Sequence, residues 1–316
     1  MPDQMLTAVG FLPGKRTAKK QYDRILVCGM GGSGISGEIL GSLYPDIEIR
    51  SNKDYTIPRY ADSKTLAIVI SYSGNTEETL NSYRGLKKKH AGIVIISSNG
   101  RLFKKSARDK IKIPTGLPPR GALGYLFTPL PFILYKYRFI DRDPRARIIS
   151  LANFLKRTRK KTEQKAKTMA RSFVEKMPVI YVNSSTYLPI AKRWQCQFNE
   201  NAKTIAHLNI IPEMNHNEVV GLGRPRVMNK TILPVFLNDP KAHTRNKSRT
   251  AIVKRLVKNI YGKYRVIEPV GNNDFKRMFW MIMLGDYISY YLAVLTGVDP
   301  MPVKRIDYLK KELSKI

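Results

Sequence analysis

Ser71-Tyr72-Ser73-Gly74-Asn75-Thr76-Glu77-Glu78-Thr79 is the stretch on which the fold class turns. It follows Leu66 to Ile70, a continuous apolar run of the kind found in strands buried on both faces of a parallel sheet. It leads into Thr76 to Leu86, which reads as a helix with Glu77 and Glu78 in its first turn. The hydroxyl-rich loop therefore sits at a strand-to-helix junction. Backbone N–H groups point outward there, and the helix dipole favours an anion. Ser71, Ser73 and Thr76 would add hydrogen-bond donors without adding charge, and Gly74 would let the backbone approach a ligand. The same residues would also make an ordinary capped turn.

Working outward, the first half alternates apolar runs with helical stretches. Strands are expected at 24–29, 47–50, 66–70, 92–97 and 111–113, and helices at 32–44, from Thr76, and around 102–107. The first strand ends in Gly29-Met30-Gly31-Gly32-Ser33-Gly34. Gly29, Gly31 and Gly34 satisfy the dinucleotide-binding spacing, with Glu48 or Asp54 as the ribose-binding acid. The competing reading joins the two loops at neighbouring strand ends. Gly31, Gly32 and Ser33 would then face Ser71, Ser73 and Thr76 across one phosphate pocket.

Arg120 to Phe139 is expected to be helical and kinked at Pro129 and Pro131, and Asp141-Arg142-Asp143-Pro144 to be a break. A long basic helix over 147–175 joins this half to a second. There the pattern restarts: strands at 179–183, 204–211, 231–237 and 264–268, and helices at 188–203, from Asn217, and at 244–261, 274–295 and 303–314. The order predicts an α/β protein of two doubly wound parallel-sheet sandwiches, 1–150 and 151–316, with a C-terminal helix.

The 316 residues carry a formal charge of +32 with an ordinary apolar content of 43%. The basic residues are spread along the chain, including clusters at 15–20, 156–167 and 241–263, rather than gathered in one arm. That distribution describes a whole surface better than a nucleic-acid groove, and it would steer an anionic substrate. Cys28 and Cys196 form no CxxC pair, so neither a zinc site nor a disulfide framework is expected. Residues 1–13 lack a charged-then-apolar leader pattern. Met278 to Leu295 is long and apolar, but Asp286, Ser289 and three tyrosines favour a core helix over a membrane span. The expectation is a soluble cytoplasmic protein.

The motifs GGSG and SxSGNTxET, in that order, resemble the sugar isomerase (SIS) domain. Pro119-Arg120-Gly121-Ala122, Asn199-Glu200-Asn201-Ala202-Lys203 and Pro212-Glu213-Met214-Asn215-His216-Asn217-Glu218 extend the resemblance to the archaeal bifunctional phosphoglucose/phosphomannose isomerases. The resemblance covers nearly the whole chain and implies an aldose–ketose isomerase with neither cofactor nor metal. It assigns phosphate contacts to Ser71, Ser73 and Thr76, and surroundings of the sugar to Gly31, Gly32, Ser33 and Arg120. It makes Arg120 the stabiliser of an enediolate, Glu200 the base that moves a proton between C2 and C1, and His216 the ring opener.

Lys310 on the last helix completes the set, with Lys304 as the alternative. Val303 stands seven residues before Lys310, where glucose-only isomerases carry a glutamine, which implies tolerance of both C2 epimers. The resemblance also implies a homodimer whose sites share the histidine across subunits. The readings that compete with it are another SIS sugar-phosphate isomerase and a non-catalytic sugar-phosphate sensor. Taken without the resemblance, Arg120 reads as a surface arginine, Glu200 as a solvated helix glutamate and His216 as a turn residue.

Overall fold

The computed structural model describes residues 1–11, 15–19 and 21–316. Parts of the N-terminal stretch and of the basic cluster at 15–20 (Leu12, Pro13, Gly14, Lys20) lie outside the described residues. The chain divides into two compact units, Met1–Arg159 with Asn272–Lys276, and Lys160–Gly271 with Arg277–Ile316.

The first unit opens with α1 (Pro2–Ala8) and continues through β1 (Arg24–Cys28), α2 (Gly31–Leu43), β2 (Ile49–Asn52), β3 (Thr65–Ser71) and α3 (Glu77–Lys88). It goes on through β4 (Gly92–Ser97), α4 (Gly100–Phe103), β5 (Asp109–Lys112), α5 (Leu123–Phe127) and α6 (Pro129–Lys136). The division between units falls within α7 (Arg145–Ala170).

The five strands are parallel in the order β2-β1-β3-β4-β5. β3 and β4 are buried at every position, as their unbroken apolar sequences require of strands covered on both faces. Because β1 lies between β2 and β3, the order reverses there and leaves a crevice at the strands' carboxyl ends.

The helix expected over 120–139 is in three pieces: a 3₁₀ turn at Pro119–Gly121, then α5, then α6. Pro129 and Pro131 supply no amide hydrogens and sit in the first turn of α6, where none are needed, so the chain restarts a helix instead of kinking one.

The second unit contains β6 (Met177–Val182), α8 (Leu188–Asn201), β7 (His207–Ile210), α9 (Glu218–Gly221), β8 (Ile232–Leu237), α10 (Thr244–Tyr261) and β9 (Arg265–Ile267). The last two helices are α11 (Asp274–Leu295) and α12 (Lys304–Leu313). Its four parallel strands run β7-β6-β8-β9, repeating the first four positions of the other sheet.

α11 is long and apolar enough to cross a membrane, and 67% of its most apolar window is buried inside the fold. It packs on α8. A Cβ at Gly285 would stand 2.2 Å from Trp194 Nε1, so only glycine allows this crossing. Trp194 Nε1 donates to Met281 O at 2.9 Å. Arg193, almost wholly buried, grips Asp286 through Nε–Oδ1 at 2.9 Å and Nη2–Oδ2 at 2.7 Å, and Gln197 adds a bond to Oδ1. Those fixed bonds make α11 a core helix and hold α8 in one register.

Candidate active site

In the first unit the loops after β1 and β3 meet at the crevice. The Tyr72 N–H donates to Ser33 Oγ at 3.3 Å, tying one loop to the other. Ser71 is buried, and its hydroxyl is engaged inside the loop: it accepts from Gly74 N at 3.0 Å and shares a 2.9 Å bond with Thr76 Oγ1. Ser71 and Ser33 therefore shape the cradle, whereas Ser73 is exposed and Thr76 half-buried. Thr76 begins α3 without capping it through its own side chain. The first N–H groups of α3 consequently have no acceptor within the helix.

Gly74 has φ +68°, and a Cβ there would lie 1.7 Å from Asn99 O, so the loop admits only glycine at this point. Asn75 Oδ1 accepts from Arg101 N at 3.0 Å and Gly74 O from Leu102 N at 2.8 Å, which fastens the loop to α4. The result is a hydroxyl-lined turn held in place at a helix start, where backbone N–H groups suit a phosphate.

Gly32 brings in the arginine. A Cβ on Gly32 would meet Pro119 O at 2.8 Å and Arg120 Cα at 3.3 Å, so the 3₁₀ turn rests directly on the start of α2. Arg120 is 7% exposed, a buried cation beside the glycine-rich turn and not the surface residue its sequence context alone suggests. Gly31, Gly32, Ser33, Ser71, Ser73, Thr76 and Arg120 are thus brought together in one unit.

The dinucleotide reading loses Glu48 on position. Glu48 precedes β2, at the end of the sheet opposite the glycine turn, and faces Arg24 and Arg50. Asp54 is bonded to Tyr55 N. Cys28, at the end of β1, is buried, and burial pushes its thiol up to about 12 against hydrogen bonds from Ser82 and Asn52. It is no nucleophile at neutral pH.

In the second unit Glu200 lies in the last turn of α8, half-buried, next to Asn201, whose Nδ2 donates to Ser289 Oγ on α11 at 3.0 Å. Lys203 follows in a left-handed conformation (φ +54°) and bonds Glu200 O and Pro300 O. His216 ends an exposed 3₁₀ turn, Glu213–His216, after β7. Asn217, not His216, caps α9 by accepting from Glu218 N. Lys304 and Lys310 are both exposed on α12, six residues apart and so on different faces.

The comparisons with known proteins follow the same lines. Residues 162–313 match the family described as the bacterial phospho-glucose isomerase C-terminal SIS domain. A bifunctional phosphoglucose/phosphomannose isomerase of Caldicellulosiruptor bescii is 40% identical over 309 residues, 94% of this chain and 91% of the relative. One from Thermoplasma volcanium is 38% identical over 296 residues, 93% of this chain and 92% of the relative. The chain belongs to the bifunctional phosphoglucose/phosphomannose isomerase family. Its fold is that of the C-terminal domain of glucosamine-fructose-6-phosphate aminotransferase from Francisella tularensis, with a TM-score of 0.75 at 16% identity and 94% of each chain covered.

Two features of this family member escape a reading of the sequence. The first is a polar cluster on Glu218, two residues beyond His216. Tyr181 OH donates to Glu218 Oε1 at 2.6 Å, Asn209 Nδ2 to Oε2 at 2.6 Å, and His207 Nε2 lies 3.0 Å from Oε2. Burial pushes the Glu218 carboxyl up, but the bonds from Tyr181, Asn209 and His207 outweigh it and hold the group below its ordinary value; burial and Glu218 together push the Tyr181 phenol up. The second is Asp239 after β8, 5% exposed, which accepts from Ser184 Oγ at 2.6 Å and from Lys241 N at 2.8 Å. Glu218 stood in the motif already singled out; its partners come from two strands and carry no local signal.

Proposed function

We propose that this protein is an aldose–ketose isomerase that interconverts glucose 6-phosphate and mannose 6-phosphate with fructose 6-phosphate. The observation that carries the reading is the hydroxyl-lined turn of Ser73 and Thr76 at the start of α3, beside a buried arginine, in a chain of this family. In this reading residues 1–150 hold the sugar phosphate and residues 151–316 supply the acid–base groups.

The phosphate sits against Ser73 and Thr76 on a frame kept by Ser71. The sugar lies along Gly31, Gly32 and Ser33. His216 moves a proton between the ring oxygen and the C1 hydroxyl, a general acid–base task. Glu200 then takes the C2 proton and returns it to C1 through a cis-enediol, the general acid–base step. Arg120 steadies the negative charge that develops on the enediolate oxygens. Lys310, or Lys304 in its place, completes the set from α12, and Val303 leaves room for either C2 epimer.

The enzyme acts in the cytoplasm, a placement supported by its membership of a sugar-phosphate isomerase family. It acts as a homodimer with His216 contributed across the interface. Supporting this, Val220 is 86% exposed and Val227 81%, close to His216 in sequence, and Ile306, Leu309 and Leu313 make an uncovered apolar stripe on α12.

A coupled assay with each of the three sugar phosphates, in EDTA, tests the activity. Turnover of both glucose 6-phosphate and mannose 6-phosphate, undiminished by chelator, is expected. Turnover of neither overturns the proposal, and loss in EDTA with rescue by a divalent metal overturns the metal-free chemistry. Mixing Glu200→Gln with His216→Ala subunits, once exchange is demonstrated, should regenerate activity in heterodimers. Heterodimers that stay inactive remove the shared histidine.

A further inference from the structure

The segment that carries His216 has little of its own to hold it. It is one 3₁₀ turn, Glu213–His216, followed by the four-residue helix α9, and neither is long enough to persist alone. Within the turn only Met214 is buried, and no residue of α9 is. Val219 and Leu222 rest partly on the core cluster built around Tyr181, Ile211, Phe236 and Val253. Such contacts, with Met214 buried in the same cluster, resist withdrawal but, being non-directional, do not by themselves set the angle of the His216 side chain.

We infer that Glu218 is a positioning residue, whose carboxylate is clamped by Tyr181 of β6 and by Asn209 and His207 of β7 and thereby fixes where His216 points. This rests on the reading of His216 as the ring-opening group. The geometry is that of a three-point lock. Both carboxylate oxygens are engaged, Oε1 by one donor and Oε2 by two groups from the neighbouring strand. β6 and β7 are paired in the sheet, with Tyr181 directly opposite Asn209 in the register, so the donors are themselves rigid. The anchored residue is separated from His216 by Asn217 alone, and Asn217 bonds forward to Glu218 N and back to Glu213 Oε1. The lock is thereby passed along the backbone to the histidine. Hydrogen bonds to a charged group are directional and stronger than neutral ones, which apolar packing at Val219 and Leu222 cannot replace.

The test uses the full chain and three variants: Glu218→Ala, Glu218→Gln and Tyr181→Phe. Rates are measured on glucose 6-phosphate, which is cyclic, and on 5-deoxyfructose 6-phosphate, which lacks the hydroxyl needed to close a ring. Glu218→Ala should lose about 10²-fold in kcat on the cyclic substrate, the scale of a misplaced catalytic group. KM and the open-chain rate should stay close to wild type, because phosphate binding and the Glu200 step do not use the clamp. Tyr181→Phe should shift the same ratio less, and Glu218→Gln, which still accepts from Tyr181, should recover part of the loss.

Amide exchange over residues 214–221 and the His216 ring resonance give a readout independent of turnover. Both should change in Glu218→Ala, while exchange in β6 and β8 stays slow. Equal losses on the two substrates, or unchanged exchange over 214–221, overturn the inference. If Glu218→Ala does not fold, Tyr181→Phe decides. If the wild type turns over neither substrate, the functional reading falls, and the exchange measurement still judges the clamp.

Discussion

Between β1 and β3 in the first unit, and between β6 and β8 in the second, the strand order reverses and leaves a crevice at the strands' carboxyl ends. The first crevice is lined by glycines and hydroxyls beside the buried Arg120, with Ser73 exposed at the start of α3. The second is closed. Asp239 fills it, fixed by Ser184 and Lys241, while its backbone N–H donates to Asn183 Oδ1 at 2.7 Å and Asn246 ties Asn183 O to α10. A buried carboxylate at that spot repels a phosphate and has already taken the donors a phosphate would need. In the proposed reading, one topology serves as a binding site once and as a structural plug once. In the same reading the second unit offers its chemistry elsewhere, through Glu200 at the end of α8 and His216 after β7. The lesson is that the doubly wound fold supplies a place, and the charge of a few loop residues decides its use.

The sharpest way to break this division of labour is at Glu200. If the second unit supplies the base, Glu200→Gln should lose at least ~10²-fold in kcat, the low end for a positioned acid–base group, with KM and thermal stability little changed. Steady-state kinetics and a melting curve check it. Wild-type turnover in the variant would end the assignment of chemistry to the second unit.

A smaller effect is expected where the first unit holds the phosphate. Ser73→Ala with Thr76→Ala removes two accessible hydroxyls and the Thr76 bond to Ser71 but leaves the α3 N–H groups in place. Loss of hydrogen bonds to a charged ligand should raise KM about 10-fold, with kcat affected less. An unchanged KM for all three sugar phosphates would place the phosphate outside the cradle.

How much of this could be read from residues alone follows the distance over which each feature is built. The cradle is local: strand, hydroxyls, Gly74 and helix follow one another in the single stretch from Thr65 to Lys88, so their order alone specifies it. The continuous apolar runs at Leu66–Ile70 and Ile93–Ile96 marked two-sided burial in the same way. The burial of Arg120 has no signal in its own context because it depends on Gly32, far back in the chain, which lets the 3₁₀ turn settle on α2. The single helix expected over 120–139 is split because Pro129 fits equally a kink or a new first turn, and the structure starts α6 there with Thr128 as its N-cap. Glu218 and Asp239 gave no signal as supports, since their partners lie on other strands and loops.

The weakest effect probes the plug. Asp239→Asn keeps the side chain's shape and removes its charge. Asn Oδ1 can still accept from Lys241 N, and the amide can donate to Ser184 Oγ, whose hydroxyl is free to turn and accept. Because every partner is retained, the stability cost should not exceed about 1 kcal/mol, the net worth of an ordinary hydrogen bond. The kinetic expectation follows from the comparison of the crevices. If phosphate binds only between β1 and β3, removing a negative charge between β6 and β8 leaves KM for glucose 6-phosphate and mannose 6-phosphate as it was. If the second crevice also receives phosphate, the loss of that repulsion lowers KM or brings substrate inhibition at high concentration. Titration of inorganic phosphate as a competitive inhibitor separates the outcomes. An inhibition constant equal in wild type and Asp239→Asn keeps the plug structural, and tighter inhibition in the variant makes the second crevice a latent anion site.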